Sequence, residues 1–270
     1  MRAFNVLVVD DSKIARNFVT TGLEASRMVG TIHEATDGPE AVEMISQRDY
    51  DVVLCDVQMP TMSGMEVVAA VKAERQKQDR KMPFIIFMSA TVTPELYVQA
   101  EALGAVEFLT KPFRDDEIKA LLILYARMST PSKVLVVDDS STIRKVVQKI
   151  FKSSAFTLEY DEADSAKVAL EKIAAQRYDA IFMDVNMPNM NGMQAYAMIK
   201  SISPSLKVML MSSESRQDIK ARAGALKLDG FLHKPFRAND VDLALCYMYG
   251  IKMPKLAAKA AASESLLEQE

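Results

Sequence analysis

The sequence predicts an α/β protein with two tandem, doubly wound domains, each built on a five-stranded parallel sheet. A long internal repeat is the first observation behind this prediction. The stretch VLVVDDS stands at residues 6–12 and again at residues 134–140, which places Asp10 and Asp138 128 residues apart. A repeat unit of this length is a whole domain, because solenoid repeats span only about 20–50 residues.

Short apolar runs that alternate with helical patterns are the second observation. Runs such as VLVV and FIIFM are apolar throughout, which favours parallel strands covered on both faces. Their alternation with helices predicts a flavodoxin-like sheet of strand order 2-1-3-4-5 with right-handed crossovers. In chain order, the strands and helices predicted for the first copy are Asn5–Val9, Ile14–Ser26, Thr31–Ala35, Pro39–Gln47, Val52–Cys55, Gly64–Gln76, Phe84–Met88, Pro94–Leu103, Glu107–Leu109 and Asp115–Met128.

Local signals mark two of these helix boundaries. Either Asp11 or Ser12 can cap the helix that is predicted to begin at Ile14. Gly104 is predicted to end the fourth helix, because glycine readily adopts the left-handed conformation that closes many helices. Where the first copy reads ALGAVEF the second reads ALKLDGF, with Lys227 in place of the glycine, so we expect a different geometry there.

The second copy follows the same order of elements. We assign residues 1–128 to the first domain, 129–132 to a linker, 133–250 to the second domain and 251–270 to a tail. The first copy carries five extra residues between its central acid and the following serine, and the polar run KAERQKQDRKMP predicts that they form a helix-to-strand loop. The alanine-rich tail is equally compatible with a disordered end and with a helix that docks on a partner.

The composition of the chain argues against several classes of protein. The formal net charge is −3, which does not favour direct nucleic-acid binding. The chain has two cysteines, which fits a reducing compartment better than a disulfide framework. Its apolar runs fall short of the roughly 20 residues of a membrane span, and the start MRAFNVLVVDDS does not resemble a signal peptide. These features predict a cytoplasmic protein without membrane insertion.

Acidic side chains end two neighbouring strands of each predicted sheet. Asp10 and Asp11 follow the first strand and Asp56 ends the third, and ligands bind at such strand ends. Two like charges about 4 Å apart repel by about 4 kcal/mol at an effective dielectric constant near 20. The cluster therefore needs either a proton or a bound cation, and all-oxygen ligands favour Mg²⁺ or Mn²⁺. The corresponding residues of the second copy are Asp138, Asp139 and Asp184.

A hydroxyl and an ammonium group follow at the ends of the next two strands. These groups belong to Ser89 and Lys111 in the first copy and to Ser212 and Lys234 in the second. Carboxylates can act as nucleophiles toward phosphorus. A carboxylate among a cation, a hydroxyl and an ammonium group therefore predicts a site that receives a phosphoryl group.

The ordered set of motifs resembles a known family. Each copy carries a DD pair, the pattern D-V-x-M-P-x-M-x-G, a serine and the tripeptide K-P-F, in this order. The set resembles the receiver domains of two-component response regulators, over about residues 4–128 and 133–249. The resemblance implies phosphorylation of Asp56 and Asp184. It implies Mg²⁺ ligands at Asp10, Asp11, Asp56 and the carbonyl of Gln58, and at Asp138, Asp139, Asp184 and the carbonyl of Asn186, with Ser89, Lys111, Ser212 and Lys234 contacting the phosphoryl group.

The same resemblance implies how a signal would pass. A histidine kinase or histidine phosphotransfer protein would donate the phosphoryl group, and Phe108 or Phe231 would turn inward as the nearby serine moves. Output would pass to a downstream protein effector, and the chain would catalyse only its own phosphorylation and dephosphorylation. A homodimer fits the habit of the family without being demanded by the sequence. The resemblance also implies cis peptides at Lys111–Pro112 and Lys234–Pro235.

The sequence leaves three other functions open. A Mg²⁺-dependent phosphatase with an aspartate nucleophile would show D-x-D after its first strand, whereas this chain has D-D-S. A purely structural tandem scaffold would not need a complete set of site residues in both copies. The chain could also be the N-terminal receiver part of a longer regulator, such as a diguanylate cyclase. In the family that the chain resembles, the side chain two residues after the acceptor faces the phosphate and influences its lifetime. Gln58 and Asn186 differ at this position, so the resemblance implies unequal phosphoryl lifetimes, in an order that it does not give.

Overall fold

The computed structural model describes residues 3–224 and 226–251. These residues divide into two units, residues 3–125 and residues 126–251, and the boundary falls inside the last helix that is described with the first unit. Residues 252–270, which are nearly the whole predicted tail, lie outside the described residues. No described helix combines the length and the apolar character that a membrane span requires.

The first unit alternates strands with helices around one parallel sheet. The sheet has the order β2-β1-β3-β4-β5, and all of its neighbouring strands pair in parallel. The predicted fold class and strand order are therefore confirmed. The elements are β1 Phe4–Val9, α1 Lys13–Ala25, β2 Val29–Ala35, α2 Gly38–Gln47, β3 Val52–Asp56, α3 Gly64–Lys77, β4 Phe84–Ser89, α4 Pro94–Leu103, β5 Glu107–Thr110 and α5 Asp115–Ser129.

The second unit repeats this architecture. Its parallel sheet has the order β7-β6-β8-β9-β10, which matches the first sheet strand for strand. The elements are β6 Ser132–Val137, α6 Ser141–Lys152, β7 Leu158–Ala163, α7 Ala166–Ala175, β8 Ala180–Asp184, α8 Gly192–Ile202, β9 Lys207–Ser212, α9 Arg216–Ala223, β10 Gly230–His233 and α10 Ala238–Tyr249.

The continuous apolar runs form the central strands of each sheet. Every residue of β3, β4 and β8 is buried, as expected for strands that helices cover on both faces. The residues of the edge strands β2 and β7 are half-buried or exposed, except for the buried Ala35 and Ala163 that end them. Their sequences accordingly mix polar and apolar residues rather than forming an apolar run.

Serine side chains begin the helix that follows the acidic pair in each unit. The Ser12 hydroxyl accepts a hydrogen bond from the Ala15 amide, and the Ser140 hydroxyl accepts one from Ile143, both over 3.4 Å. Of the two capping residues that the sequence allows, Ser12 is therefore the cap. The carboxylate of Asp11 remains available to the crevice at the strand ends.

The prediction that the five extra residues form a loop was only partly right. Helix α3 has 14 residues and α8 has 11, so three of the five lengthen the helix. The other two lengthen the loop, which is residues 78–83 in the first unit and residues 203–206 in the second. The physical reason is that the run after Lys72 is rich in good helix formers such as Ala, Glu, Arg, Gln and Lys.

The helices α4 and α9 end differently, as expected from the departure around Lys227. Gly104 ends α4 with a φ of 84°, which confirms the predicted left-handed closure. Helix α9 has only eight residues and ends earlier, at Gly224, whose φ is 55°. The hydroxyl of Tyr196 then donates to the carbonyl oxygen of Lys227 over 2.6 Å, and so ties the segment that follows α9 to α8.

Two glycines allow the helix after the central strand to approach that strand closely. A Cβ atom on Gly64 would lie 2.2 Å from the carbonyl oxygen of Asp56, and one on Gly192 would lie 2.2 Å from that of Asp184. Such separations are far inside van der Waals contact. The glycine of the D-V-x-M-P-x-M-x-G pattern is therefore required by packing against the residue that carries the central carboxylate.

Replacing Gly64 with alanine tests this close approach. We expect Gly64→Ala to destabilise the first unit by about 1–3 kcal/mol, because the added methyl group must displace backbone. The midpoint of urea unfolding measures the effect. Gln76→Ala, on the exposed face of the same helix, is the control and should change stability by less than about 0.5 kcal/mol. Equal midpoints for the two variants would contradict the packing argument.

Candidate functional site

The carboxyl ends of the strands form one acidic crevice in each unit. In the first unit, oxygen atoms of Asp10, Asp11 and Asp56 lie within 4.8 Å of one another. Asp10 and Asp11 follow β1 and Asp56 ends β3, which are neighbours in the sheet. The topology therefore brings together the three carboxylates that the sequence singled out.

The second crevice has the same construction. Oxygen atoms of Asp138, Asp139 and Asp184 also lie within 4.8 Å of one another. In both crevices the first and third acids are buried and the second is exposed. The two sites thus agree in composition, in burial and in position on the sheet.

A lysine ammonium group bridges two carboxylates in each crevice. Lys111 Nζ donates to Asp10 Oδ2 over 2.7 Å and to Asp56 Oδ1 over 2.9 Å. Lys234 Nζ donates to Asp138 and Asp184 over the same two distances. Each lysine predicted to contact a phosphoryl group is therefore hydrogen-bonded to the carboxylate that would carry this group.

Burial and the lysine act in opposite directions on the central carboxylate. Burial raises the pKa of Asp56 above its usual value, and the hydrogen bond from Lys111 offsets only part of this rise. Burial raises the pKa of Asp184 in the same way, against the opposing effect of Lys234. Each of these carboxylates is therefore more basic than one in water, which strengthens it as a nucleophile once it is ionised.

The lysines remain cationic despite their partial burial. Burial alone would lower the pKa of Lys111, but the hydrogen bonds to Asp10 and Asp56 outweigh this effect and raise the pKa. The same balance raises the pKa of Lys234, through Asp138 and Asp184. Each crevice accordingly holds a permanent ammonium group beside its central carboxylate.

Two arginines that sequence reasoning missed support the acidic loops. Arg16 Nη1 donates to the backbone carbonyl of Asp10 over 2.8 Å and lies 3.4 Å from that of Asp11. Its Nε donates to Glu34 on β2 over 2.7 Å. Arg16 is 8% exposed, so its contacts with these oxygens are largely protected from water. It therefore fixes the backbone that presents the first two acids.

Arg144 makes the corresponding contacts in the second unit. Its Nη1 donates to the carbonyl of Asp138 over 2.7 Å and lies 3.3 Å from that of Asp139, while its Nε donates to Glu162 over 2.7 Å. The repeat contains a signal for this pair. Arg16 and Arg144 are separated by the same 128 residues as the acids, as are Glu34 and Glu162.

The serine hydroxyls contact the backbone that follows their own strands. Ser89 Oγ donates to the carbonyl oxygen of Thr91 over 2.6 Å, and Ser212 Oγ accepts a hydrogen bond from the Glu214 amide over 3.1 Å. Both serines end the strand next to the one that carries the central acid, and both are buried. Their position at the crevice is as predicted, whereas phosphoryl contact remains a prediction.

The two predicted switch aromatics lie in different surroundings. Phe108 is 1% exposed, stacks on Phe87 at 5.6 Å between ring centroids, and meets the ring of Tyr97 edge-on at 5.1 Å. Phe231 is only half-buried against the second core. Movement of either phenylalanine remains a prediction.

The cis peptides expected at Lys111–Pro112 and Lys234–Pro235 are both present.

The donor set suits a divalent metal ion. Each crevice gathers three carboxylates around a single bridging ammonium group, so negative charge is in excess there. Hard oxygen ligands of this kind favour Mg²⁺ over softer metals. Asp10 and Asp56 are buried and held by Lys111, whereas Asp11 is exposed. The residues present thus fit the predicted metal.

Sequence comparison identifies the same two units. The family model of the response regulator receiver domain matches residues 6–123 and again residues 134–245. The chemotaxis protein CheY of Listeria monocytogenes is 34% identical over 113 residues, which are 42% of this chain and 94% of that protein.

Two larger relatives are protein-glutamate methylesterase/protein-glutamine glutaminases. The protein from Pseudoalteromonas atlantica is 38% identical over 114 residues, or 42% of this chain. The protein from Clostridium acetobutylicum is 26% identical over 197 residues, or 70% of this chain. The matched regions span 29% and 54% of the lengths of these two relatives.

Solved structures agree with the fold of both units. A crystal structure described as a two-component system response regulator/GGDEF domain protein covers 92% of this chain and 98% of its own, with a TM-score of 0.60 at 20% identity. At this identity the likeness concerns the fold alone. Because the family model matches both units, this chain belongs to the response regulator receiver domain family and carries two receiver domains of two-component signalling in tandem.

Proposed function

We propose that each receiver domain accepts a phosphoryl group, on Asp56 in the first and on Asp184 in the second. One observation carries the proposal. A buried, basic carboxylate lies under a lysine ammonium group and beside two further carboxylates, with matching geometry in both domains. A histidine kinase or histidine phosphotransfer protein would supply the phosphoryl group.

The metal ligands follow from the donor set. Asp10, Asp11, Asp56 and the carbonyl of Gln58 would hold Mg²⁺ in the first domain, and Mn²⁺ could take its place. Asp138, Asp139, Asp184 and the carbonyl of Asn186 would do so in the second. When bound, the metal would neutralise charge between the carboxylates and the phosphoryl oxygens.

The transfer step is a substitution at phosphorus. An oxygen of Asp56 forms a bond to phosphorus while the P–N bond of the donor phosphohistidine breaks. The electron pair of that bond returns to the imidazole nitrogen, which remains on the donor. Lys111 Nζ lies 2.9 Å from Asp56 Oδ1 and would form an ion pair with the phosphoryl oxygens after the transfer. The Ser89 hydroxyl would exchange the carbonyl of Thr91 for a phosphoryl oxygen.

Output would pass through protein contacts rather than through an enzymatic activity of the chain. On the first domain, Phe108 is covered by Tyr97 of α4, and Val98 of α4 and Ile123 of α5 are 67% and 42% exposed. Inward movement of Ser89 would alter the packing of this aromatic pair and so the face of α4, β5 and α5. A downstream protein or a second copy of the chain would read that face.

The family assignment favours this function over the phosphatase interpretation. The acids after β1 and β6 form adjacent pairs rather than a D-x-D arrangement, and each central acid ends a different strand. The complete set of site residues in both domains also favours phosphoacceptors over a structural scaffold. The named activity of the larger relatives is not proposed for this chain, because the match covers 29% and 54% of them.

Replacing the acceptors one at a time tests the proposal. With Mg²⁺ and a small-molecule phosphodonor such as acetyl phosphate, the chain should gain two phosphoryl groups by intact mass. Asp56→Asn and Asp184→Asn should each gain one, and the double variant none. Hydroxylamine should remove each label, as it does from acyl phosphates. Labelling of the double variant, or none of the unmodified chain, would contradict the assignment.

The supporting arginine gives a second prediction. In the Asp184→Asn background, Arg16→Ala should raise the Mg²⁺ concentration for half-maximal phosphorylation of Asp56 by about tenfold, because the loop carrying Asp10 and Asp11 loses its anchor. Calorimetric titration with Mg²⁺ alone should show the same loss. Arg144→Ala in that background is the matched control and should leave the first site unchanged. Equal Mg²⁺ affinities for the two arginine variants would refute the positioning role.

A further inference from the structure

A carboxylate on α10 holds the loop that joins α6 to β7 in the second domain. The backbone amide of Ala155 donates to Asp242 Oδ2 over 3.0 Å, and its nitrogen lies 3.2 Å from Oδ1. The hydroxyl of Ser154 donates to the same carboxylate and accepts a hydrogen bond from the Phe156 amide over 3.0 Å. We call this set of contacts the Asp242 latch, because it attaches one helix to the loop that follows another.

Apolar packing surrounds the latch. Val241 and Leu245, which lie on α10 on either side of Asp242, are fully buried. The ring of Phe156 in the loop is 3% exposed and lies 6.2 Å from the ring of Tyr249 at the end of α10. The carboxylate therefore lies at the edge of an apolar contact between α10 and the loop, where water solvates it poorly.

Among the residues that the structure describes, no cation pairs with this carboxylate. The titratable group one turn further along α10 is the buried thiol of Cys246, and burial raises its pKa to about 12. The loop of residues 153–157 has no titratable side chain. Lys149 and Lys152 in the last turn of α6 are exposed, and neither forms a described ion pair with Asp242.

The closed latch favours the protonated form of Asp242. Burial raises the pKa of this carboxyl group from 3.8 to about 6, and the hydrogen bonds from Ser154 and Ala155 offset only part of the rise. Opening would expose the carboxylate to water and return its pKa toward 3.8. Because the closed form has the higher pKa, it is favoured most at acidic pH and loses this advantage as the pH rises to about 6.

The first domain cannot form the latch. Lys119 takes the place of Asp242, and an ammonium group cannot accept a hydrogen bond. Ser26 takes the place of Ser154, but its hydroxyl donates to the carbonyl oxygen of Leu23 in its own helix, over 2.6 Å. The first domain is therefore an internal control for any effect of pH on the second.

Stability does not explain an acid at this position. An asparagine would accept the same hydrogen bond from Ala155 through its amide oxygen, and it would have no charge to bury. Ionised Asp242 instead carries the cost of burying a charge without a cationic partner. What the acid alone adds is a change of charge at mildly acidic pH.

We propose that the Asp242 latch is a pH-sensitive attachment of α10, which closes more tightly when Asp242 is protonated and opens more readily when Asp242 is ionised. On closing at mildly acidic pH, the carboxylate takes a proton from solvent. The new O–H group can donate to the Ser154 hydroxyl, while the other oxygen still accepts from the Ala155 amide. The inference does not depend on phosphorylation of either domain.

Amide hydrogen exchange at Ala155 and Phe156 in the full chain tests the latch. Each exchange rate, divided by the intrinsic rate at the same pH, gives the opening constant. From the two pKa values, we expect this constant to rise about tenfold between about pH 5 and about pH 7. Asp242→Asn should make the opening constant independent of pH over this range.

Two controls locate the effect. Glu171→Gln removes an exposed acid on α7 of the same domain and should leave the rise unchanged. The amides of Ser26 and Arg27, at the corresponding place in the first domain, should show no rise. An equal rise in both domains would mean that the latch is not its source.

Direct titration of the carboxyl group keeps the test decisive if Asp242→Asn fails to fold. In the chain labelled with ¹³C at its aspartate carboxyl carbons, the resonance that Ser154→Ala moves is that of Asp242. We expect a midpoint near pH 6 in the unmodified chain. The midpoint should be higher in Ser154→Ala, because the hydrogen bond from the hydroxyl favours the ionised form. A merely structural role of Ser154 would lower stability without moving this midpoint.

The outcomes decide the inference. A tenfold rise confined to the second domain and abolished in Asp242→Asn supports the latch. Equal opening constants at both pH values, a rise that persists in Asp242→Asn, or a carboxyl midpoint near the ordinary value of about 4 would overturn it.

Discussion

The ammonium group of one lysine in each crevice is the interaction on which the sites depend. Lys111 lies within 2.9 Å of both Asp10 and Asp56, two carboxylates that would otherwise repel each other in a buried place. Its positive charge offsets the repulsion between the two carboxylates. One ammonium group does not balance three carboxylates, so the crevice keeps an excess of negative charge that favours a divalent cation. The parallel sheet makes this possible, because it gathers strand ends that are distant in sequence.

The two receiver domains share this arrangement but differ in what surrounds it. The distances from lysine to acid, the supporting arginines and the close glycines recur in both receiver domains. The differences lie at the mouth of the crevice and on α9. There Gly224 ends the helix early, Phe231 is half-buried, and an ion pair of Arg222 with Glu214 stands beside the acceptor. The two crevices thus share their central residues and differ in the structure around them.

Most of the fold and the site centre follow from the sequence, because they depend on local patterns. Asp56, Ser89 and Lys111 each stand at the end of an apolar run, and strand order alone brings such ends together. What the sequence did not show depends on tertiary contacts. Arg16 is an ordinary helical residue until packing places it under the carbonyls of Asp10 and Asp11. The ion pair between Arg222 and Glu214 depends on the course of α9. The extra residues before β4 were predicted to form a loop, although three of them extend α3, because helix and loop share the same polar composition.

We propose that both crevices bind a divalent cation together with a phosphoryl group. Calorimetric titration of the unmodified chain with beryllofluoride in the presence of Mg²⁺ tests it most directly, because beryllofluoride mimics a phosphoryl group on aspartate. The account predicts two equivalents bound per chain, and no binding when Mg²⁺ is left out. A titration in which Mg²⁺ and beryllofluoride bind at neither Asp56 nor Asp184 would contradict it.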